Sequence, residues 1–188
     1  MSGVLCEPVR IFEFASRGIT LDQSLRIVEF PRLAALIAPG VIEGDCVDIK
    51  LEFSKVADCV VLRGRLAAQL GLQCQRCLQQ VEYRIDHDIG LALIDSEAQV
   101  SMLPAGLEPI LLEDCRAEGV ARGEGSDMTL KLAPLLEDEL MLQVPLVPMH
   151  AEESSCCAPL GANLEATTAH ETPVHPFAAL AELKKRRD

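Results

Sequence analysis

The chain has 188 residues, about one domain with room for a tail, and its 49% apolar and 24% charged residues support a buried core and exclude a disordered chain. Aromatic residues make up 3%, with no Trp and one Tyr, so the core rests on aliphatic side chains and a base-stacking platform is excluded. The net charge of -12 sits in residues 95–171, where 15 acids face 3 bases, leaving 14 of the 29 acids and 14 of the 17 bases elsewhere. No apolar run approaches the roughly 18 to 20 residues of a membrane span. Glu7 and Arg10 interrupt the start, where a signal peptide would be apolar, so a cytoplasmic protein is expected. Its eight cysteines then read as thiols or metal ligands rather than a disulfide framework.

In chain order, residues 7–15 predict a short helix opened by Pro8 and stopped by Gly18. The run ITLDQSLRIVEF that follows fits a strand or a helix, and Pro31 with RLAALIA predicts a second short helix closed by Pro39 and Gly40. From residue 46, Val47, Ile49, Leu51 and Phe53 alternate with Asp48, Lys50 and Glu52, which is the pattern of a half-buried strand. Leu62, Leu66, Leu70 and Leu72 then share one parity, with Arg63, Arg65, Gln69 and Gln73 on the other. Across CQRCLQQ the parity changes, so that Val81, Tyr83, Ile85, Ile89, Leu91 and Leu93 are apolar between charged neighbours. The two runs predict a long hairpin that sets Leu72 opposite Val81, Leu66 opposite His87 and Arg65 opposite Asp88.

Residues 95–127 read as a mobile, acidic loop with LEPILL as its one strand. Leu132, Leu136, Leu140 and Val144 recur at four-residue spacing and predict a helix over 134–143, stopped by Pro145 and Pro148. A polar linker over 151–175 and a short helix over 176–188, striped by Phe177, Leu180 and Leu183 and ending in Lys184, Lys185, Arg186 and Arg187, complete the chain. The expected fold is an α+β domain over 1–150: an antiparallel meander over 46–94 whose long hairpin carries a CxxC tip, covered by helices. Leu66, Leu70, Ile85, Leu91, Leu136 and Leu140 belong to its core.

Cys74 and Cys77 are the only cysteine pair at metal-ligand spacing. A redox pair sits where a strand feeds a helix, whereas strand pattern flanks this pair on both sides, as in a knuckle that supplies half a zinc site. Zinc needs two further ligands, for which His150, Cys156 and Cys157 are candidates. Unliganded structural thiols are the plainest reading, with zinc and redox chemistry beside it. Glu137, Asp138 and Glu139 are expected near a helix start, favoured there by the macrodipole and pointing apart rather than converging. Arg63, Arg65, Arg76 and Arg84 fall on the wet sheet face or near its tip, diluted by Glu82, Asp86 and Asp88 into a salt-bridged surface. No phosphate loop, HExxH or GxSxG is present, and no catalytic residues are expected.

Three ordered blocks, LQCQRCLQQ, LLEDELMLQVPLVPMH and HPFAALAELKK, with EPVRIFEFASRG and the PRL of residues 31–33 before them, resemble the bacterial large ribosomal RNA subunit accumulation protein family, YceD. The resemblance covers nearly the whole chain. It implies a non-enzymatic role in synthesis, processing or stability of 23S rRNA and in large-subunit assembly. The implied partner is that RNA or a precursor particle; the acidic charge of residues 95–171 points to a basic ribosomal protein as a route to it, and no membrane or small-molecule substrate is expected. The resemblance marks Cys74, Arg76 and Cys77, the acids 137–139, and Phe177, Leu180 and Leu183. It also implies a CPxCG-like pattern after PLVP, where CCAPLGANL offers Cys157 for the first cysteine and Leu160 for the second. That leaves a four-cysteine site incomplete and His150 as the substitute. The alternative function is a thiol- or zinc-dependent adaptor that senses metal or oxidation through Cys74 and Cys77.

Overall fold

In the computed structural model of the protein, residues 4–38, 46–56, 59–123 and 127–151 are described. The chain divides into Met1–Ala151 and Glu152–Asp188. The second unit, with the expected linker beyond Ala151, Cys156, Cys157 and the expected C-terminal helix, lies outside the described residues.

The chain opens with a 3-10 turn, Val4–Cys6, then β1 (Val9–Arg10) and α1 (Ile11–Ser16). The helix starts later than Pro8 predicts, because Val9 and Arg10 pair with Leu130 and Thr129, a tertiary ladder that local propensity does not carry. Its end is the expected one. Gly18 has a φ of 58°; its N–H bonds Ala15 O and the N–H of Ile19 bonds Phe14 O, the paired closure of a Schellman cap. The ambiguous run after it is β2 (Thr20–Arg26), followed by a turn to buried Phe30 and by α2 (Pro31–Ala34), with Pro31 in its first turn.

Three long antiparallel pairings build the meander. β2, β3 (Cys46–Val56), β4 (Cys59–Gln73) and β5 (Gln80–Ile94) lie in that order, and β6 (Glu108–Leu111) joins β5 in parallel at the edge. The β4–β5 register is the one the alternation predicts: Leu72 faces Val81, Leu66 faces His87 and Arg65 faces Asp88. Leu66 is fully buried while the Arg65 side chain is 60% exposed, so the parity assignment holds. A one-residue slip would exchange the two faces.

Residues 95–127 carry more structure than a loop. A 3-10 turn over Glu97–Met102 opens with a capping box of Ser96 and Gln99, β6 follows, and α3 (Leu112–Ala117) leads into β7 (Ala121–Arg122). Elements this short leave no periodicity to read. Their order comes from pairing: Ile110 and Leu111 lie against Leu93 and Ile94, and Ala121 and Arg122 against β8 (Thr129–Leu130). β1, β8 and β7 form a second, three-stranded sheet.

Helix α4 (Leu132–Gln143) closes the described fold. It begins two residues before the expected start, so the acids at 137–139 lie mid-helix and its first turn holds none; the macrodipole explanation is therefore overturned. Leu132, Leu136 and Leu140 are fully buried on the apolar sheet face with Leu66, Leu70, Ile85 and Leu91. At about 25 cal/mol per Å² of apolar surface, each such leucine contributes roughly 1.5–3 kcal/mol. Edge-on contact of Phe14 with Phe53, at 5.4 Å between centroids, anchors the N-terminal elements to the same face.

Candidate functional site

The hairpin tip is a tight knuckle. The N–H of Leu78 bonds Cys74 O at 2.9 Å and the N–H of Cys74 bonds Gln79 O at 2.8 Å. Leu78 closes the turn in the left-handed region, with a φ of 61°, a conformation that costs a non-glycine residue roughly 1–2 kcal/mol. The wound turn directs backbone N–H groups at Cys74 Sγ. Those of Cys77, then Arg76 and His150, together with the His150 side chain, pull the Cys74 pKa down to about 5, against burial, which pushes it up.

The segment leaving α4 runs along this knuckle. Gln75 donates its backbone N–H to Pro148 O at 2.9 Å and its side-chain amide to Leu146 O at 3.2 Å. His150 is thereby brought beside the thiols, with Nδ1 3.5 Å from Cys77 Sγ and Nε2 3.0 Å from Gln80 O. Cys74, Cys77 and His150 present three ligand atoms that all lie within 4.8 Å of one another. The sequence pattern thus named the pair and its histidine partner, and the structure unites them; Cys156 and Cys157 lie outside the described residues. Among the described residues Cys46, Cys74, Cys77 and Cys115 stand outside any disulfide.

A second junction joins α2 to α4. Glu137, only 4% exposed, accepts the backbone N–H of Arg32 at 2.6 Å and of Leu33 at 3.1 Å on one oxygen, and Arg32 Nε at 3.0 Å on the other. Arg32 also reaches Asp138 at 2.6 Å. Glu137 and Asp138 therefore converge on Arg32, contrary to the expectation that the three acids diverge; only Glu139 turns away. The PRL stretch continues to the hairpin, where Ala38 N–H bonds Gly71 O at 2.8 Å. No local signal announces a contact between residues 105 apart. A glutamate among buried leucines was the one available hint.

Glu139 leaves the other flank of α4 and lies 3.8 Å from His87 Nε2. Burial, followed by the charge of Glu108, pushes its carboxyl above the usual range, with His87 opposing. On the wet sheet face Arg65 makes two hydrogen bonds to Asp86, one residue pair diagonal to its register partner Asp88, and Lys50 pairs with Asp22 at 3.6 Å. Arg63 and Arg84 are exposed on this face and Arg76 lies at the tip; Phe177, Leu180, Leu183 and Lys184 to Arg187 lie outside the described residues. Among the described residues no helix is long and apolar enough to cross a membrane.

The profile of a family described as "Large ribosomal RNA subunit accumulation protein YceD" matches residues 62–184. The chain belongs to the YceD family. It is 30% identical over 129 residues to the large ribosomal RNA subunit accumulation protein YceD of Haemophilus influenzae, covering 68% of this chain and 67% of that protein. No solved structure matches. The YceD match spans the hairpin knuckle, α4 and His150, while Arg32 precedes it. The backbone N–H groups of Arg32 and Leu33, outside the match, donate to Glu137, within it.

Proposed function

We propose that the protein is a non-enzymatic assembly factor that supports the synthesis, processing or stability of 23S rRNA and the formation of the large ribosomal subunit in the cytoplasm. The family match over residues 62–184 carries this reading. The electrostatics favour a route through protein rather than phosphate. Asp95, Glu97, Glu108, Glu113, Asp114 and Glu118 are all exposed, and a field of that sign repels RNA. The arginines of the sheet face stand among acids, with Arg65 already engaged by Asp86. A basic ribosomal protein is therefore the favoured docking partner, with the hairpin tip or the C-terminal basic residues beside the RNA.

Deleting the gene should lower 23S relative to 16S rRNA and shrink the large-subunit peak in sucrose gradients, with recovery on expression of the chain. Normal 23S levels and normal profiles would overturn the proposal. Crosslinking in precursor particles should recover a basic ribosomal protein as the main adduct; RNA as the main adduct would replace the docking route with direct contact.

A further inference from the structure

We infer that the outer edge of β2 is a contact surface for a second copy of this chain, the two β2 strands pairing antiparallel about a two-fold axis so that one sheet runs on into the other. The inference goes beyond the ribosomal reading and stands without it.

The five-stranded sheet has β6 at one edge and β2 at the other, and only β6 is blunted. It is four residues long and carries Pro109, which cannot donate to a further strand. β2 is seven residues long, with neither proline nor glycine. It turns Leu21, Gln23 and Leu25 to the apolar face, beside Leu51, Ile49 and Val47, and no charged side chain points that way. Among the described residues no strand pairs with its outer side. The N–H of Phe53 bonds Ile19 O at 2.9 Å, so the odd-numbered residues turn their backbone groups toward β3. Alternation then sends the N–H and C=O groups of Thr20, Asp22 and Ser24, and the N–H of Arg26, to the open side. These four residues are exposed.

The order of the strand says what fits there. Paired with itself about Gln23, TLDQSLR sets Leu21 opposite Leu25 on the apolar face, and Asp22 opposite Ser24 and Thr20 opposite Arg26 on the wet face. Every residue meets a counterpart of its own polarity, and no like charges stand directly opposite. The outward groups of Asp22 face those of Ser24, as a hydrogen-bonded pair requires. Such self-complementarity is the condition for an isologous contact.

Gln23 supplies an independent observation. Its Oε1 is sealed from solvent with no hydrogen-bond partner among the described residues, an omission that native interiors rarely leave. At the axis, Gln23 of each copy occupies a non-hydrogen-bonded pair, where Cα atoms approach to about 4.5 Å and side chains are closest. The side-chain amide of each can donate to Oε1 of the other. A slide by two residues in either direction shortens the ladder and sets Gln23 opposite a leucine, which has no donor to offer.

The test uses the full chain under reducing conditions, so that the exposed Cys46 forms no cross-link. Sedimentation velocity should show a reversible monomer–dimer equilibrium between about 1 and 200 μM. Ser24→Pro removes an outward N–H that β3 does not use, so the fold should persist while the dimer Kd rises at least about tenfold. Gln23→Lys, which sets like charges opposite each other at the axis, should have the same effect. Arg63→Ala, on the wet face of β4 away from the edge, should dimerise as the parent does. Hydrogen exchange at the amides of Asp22 and Ser24 should slow as the parent dimerises. Because a variant can fail to fold, the parent chain decides on its own: a monomer throughout that concentration range, or a dimer whose Asp22 and Ser24 amides exchange as fast as in the monomer, would overturn the inference. So would undiminished dimerisation of a folded Ser24→Pro chain.

Discussion

Glu137 and Glu139 lie two residues apart on α4 and are both nearly sealed from solvent, at 4% and 7% exposure, yet they leave opposite flanks of the helix into different chemistry. Glu137 meets two backbone N–H groups and a guanidinium, all within 3.1 Å. Glu139 has His87 at 3.8 Å as its ion-pair partner and two other acids, Glu108 and Asp138, close enough to oppose its charge. A buried carboxylate is thus a fastener when donors replace its water and a strain when they do not. On one side α4 holds α2 and the chain leading to the hairpin. On the other it stores a proton-sensitive contact against β5.

The largest effect should come from removing the fastener. Glu137→Ala leaves the N–H groups of Arg32 and Leu33 without their acceptor at the start of α2, and the loss should be about 3 kcal/mol in denaturant titration. Glu137→Gln keeps an acceptor oxygen but no charge and should lose about half as much. A loss below about 1 kcal/mol for Glu137→Ala would mean that water replaces the carboxylate and that the two flanks do not differ as described.

Removing the partner should matter less. The Arg32 side chain is 52% exposed, so its ion pairs with Glu137 and Asp138 are screened, and the two backbone bonds to Glu137 survive its loss. Arg32→Ala should cost about 1–2 kcal/mol, with the ionic part shrinking in high salt. If Arg32→Ala were as damaging as Glu137→Ala, the guanidinium rather than the helix N–H groups would be the main ligand.

How much of this was legible follows from what local sequence can encode. Strict alternation in β3, β4 and β5 fixed the register of a thirty-residue hairpin, because a slip would expose every leucine at once; Leu66 and Arg65 sit on the predicted faces. The cysteine spacing and His150 marked the knuckle for the same reason, since ligand chemistry leaves a local trace. The three-stranded sheet left none, since Val9–Arg10, Ala121–Arg122 and Thr129–Leu130 are two residues each. Glu137 was read only as a helix acid because its ligands come from residues 32 and 33, far away in sequence. The start of α4 was misplaced because Pro134 marked a helix opening, whereas the proline lies inside the first turn that begins at Leu132.

The smallest effect, and the one that discriminates the two glutamates best, is the pH dependence of Glu139. Burial, followed by Glu108, holds its folded pKa above the unfolded value, near 4.3 for an unperturbed Glu. The folded state therefore keeps this proton more tightly, so the contribution to stability is fully present below the unfolded pKa and is lost as pH rises through the folded pKa. A glutamine has no such loss. The melting temperature of Glu139→Gln relative to the parent should accordingly increase with pH across the acid range and level off once the parent carboxyl is charged. In a His87→Ala background the rise should be larger, because the opposing charge of His87 is gone. A difference that stayed flat with pH would show that Glu139 is solvated or hydrogen-bonded as well as Glu137, and the contrast between the two flanks of α4 would fail.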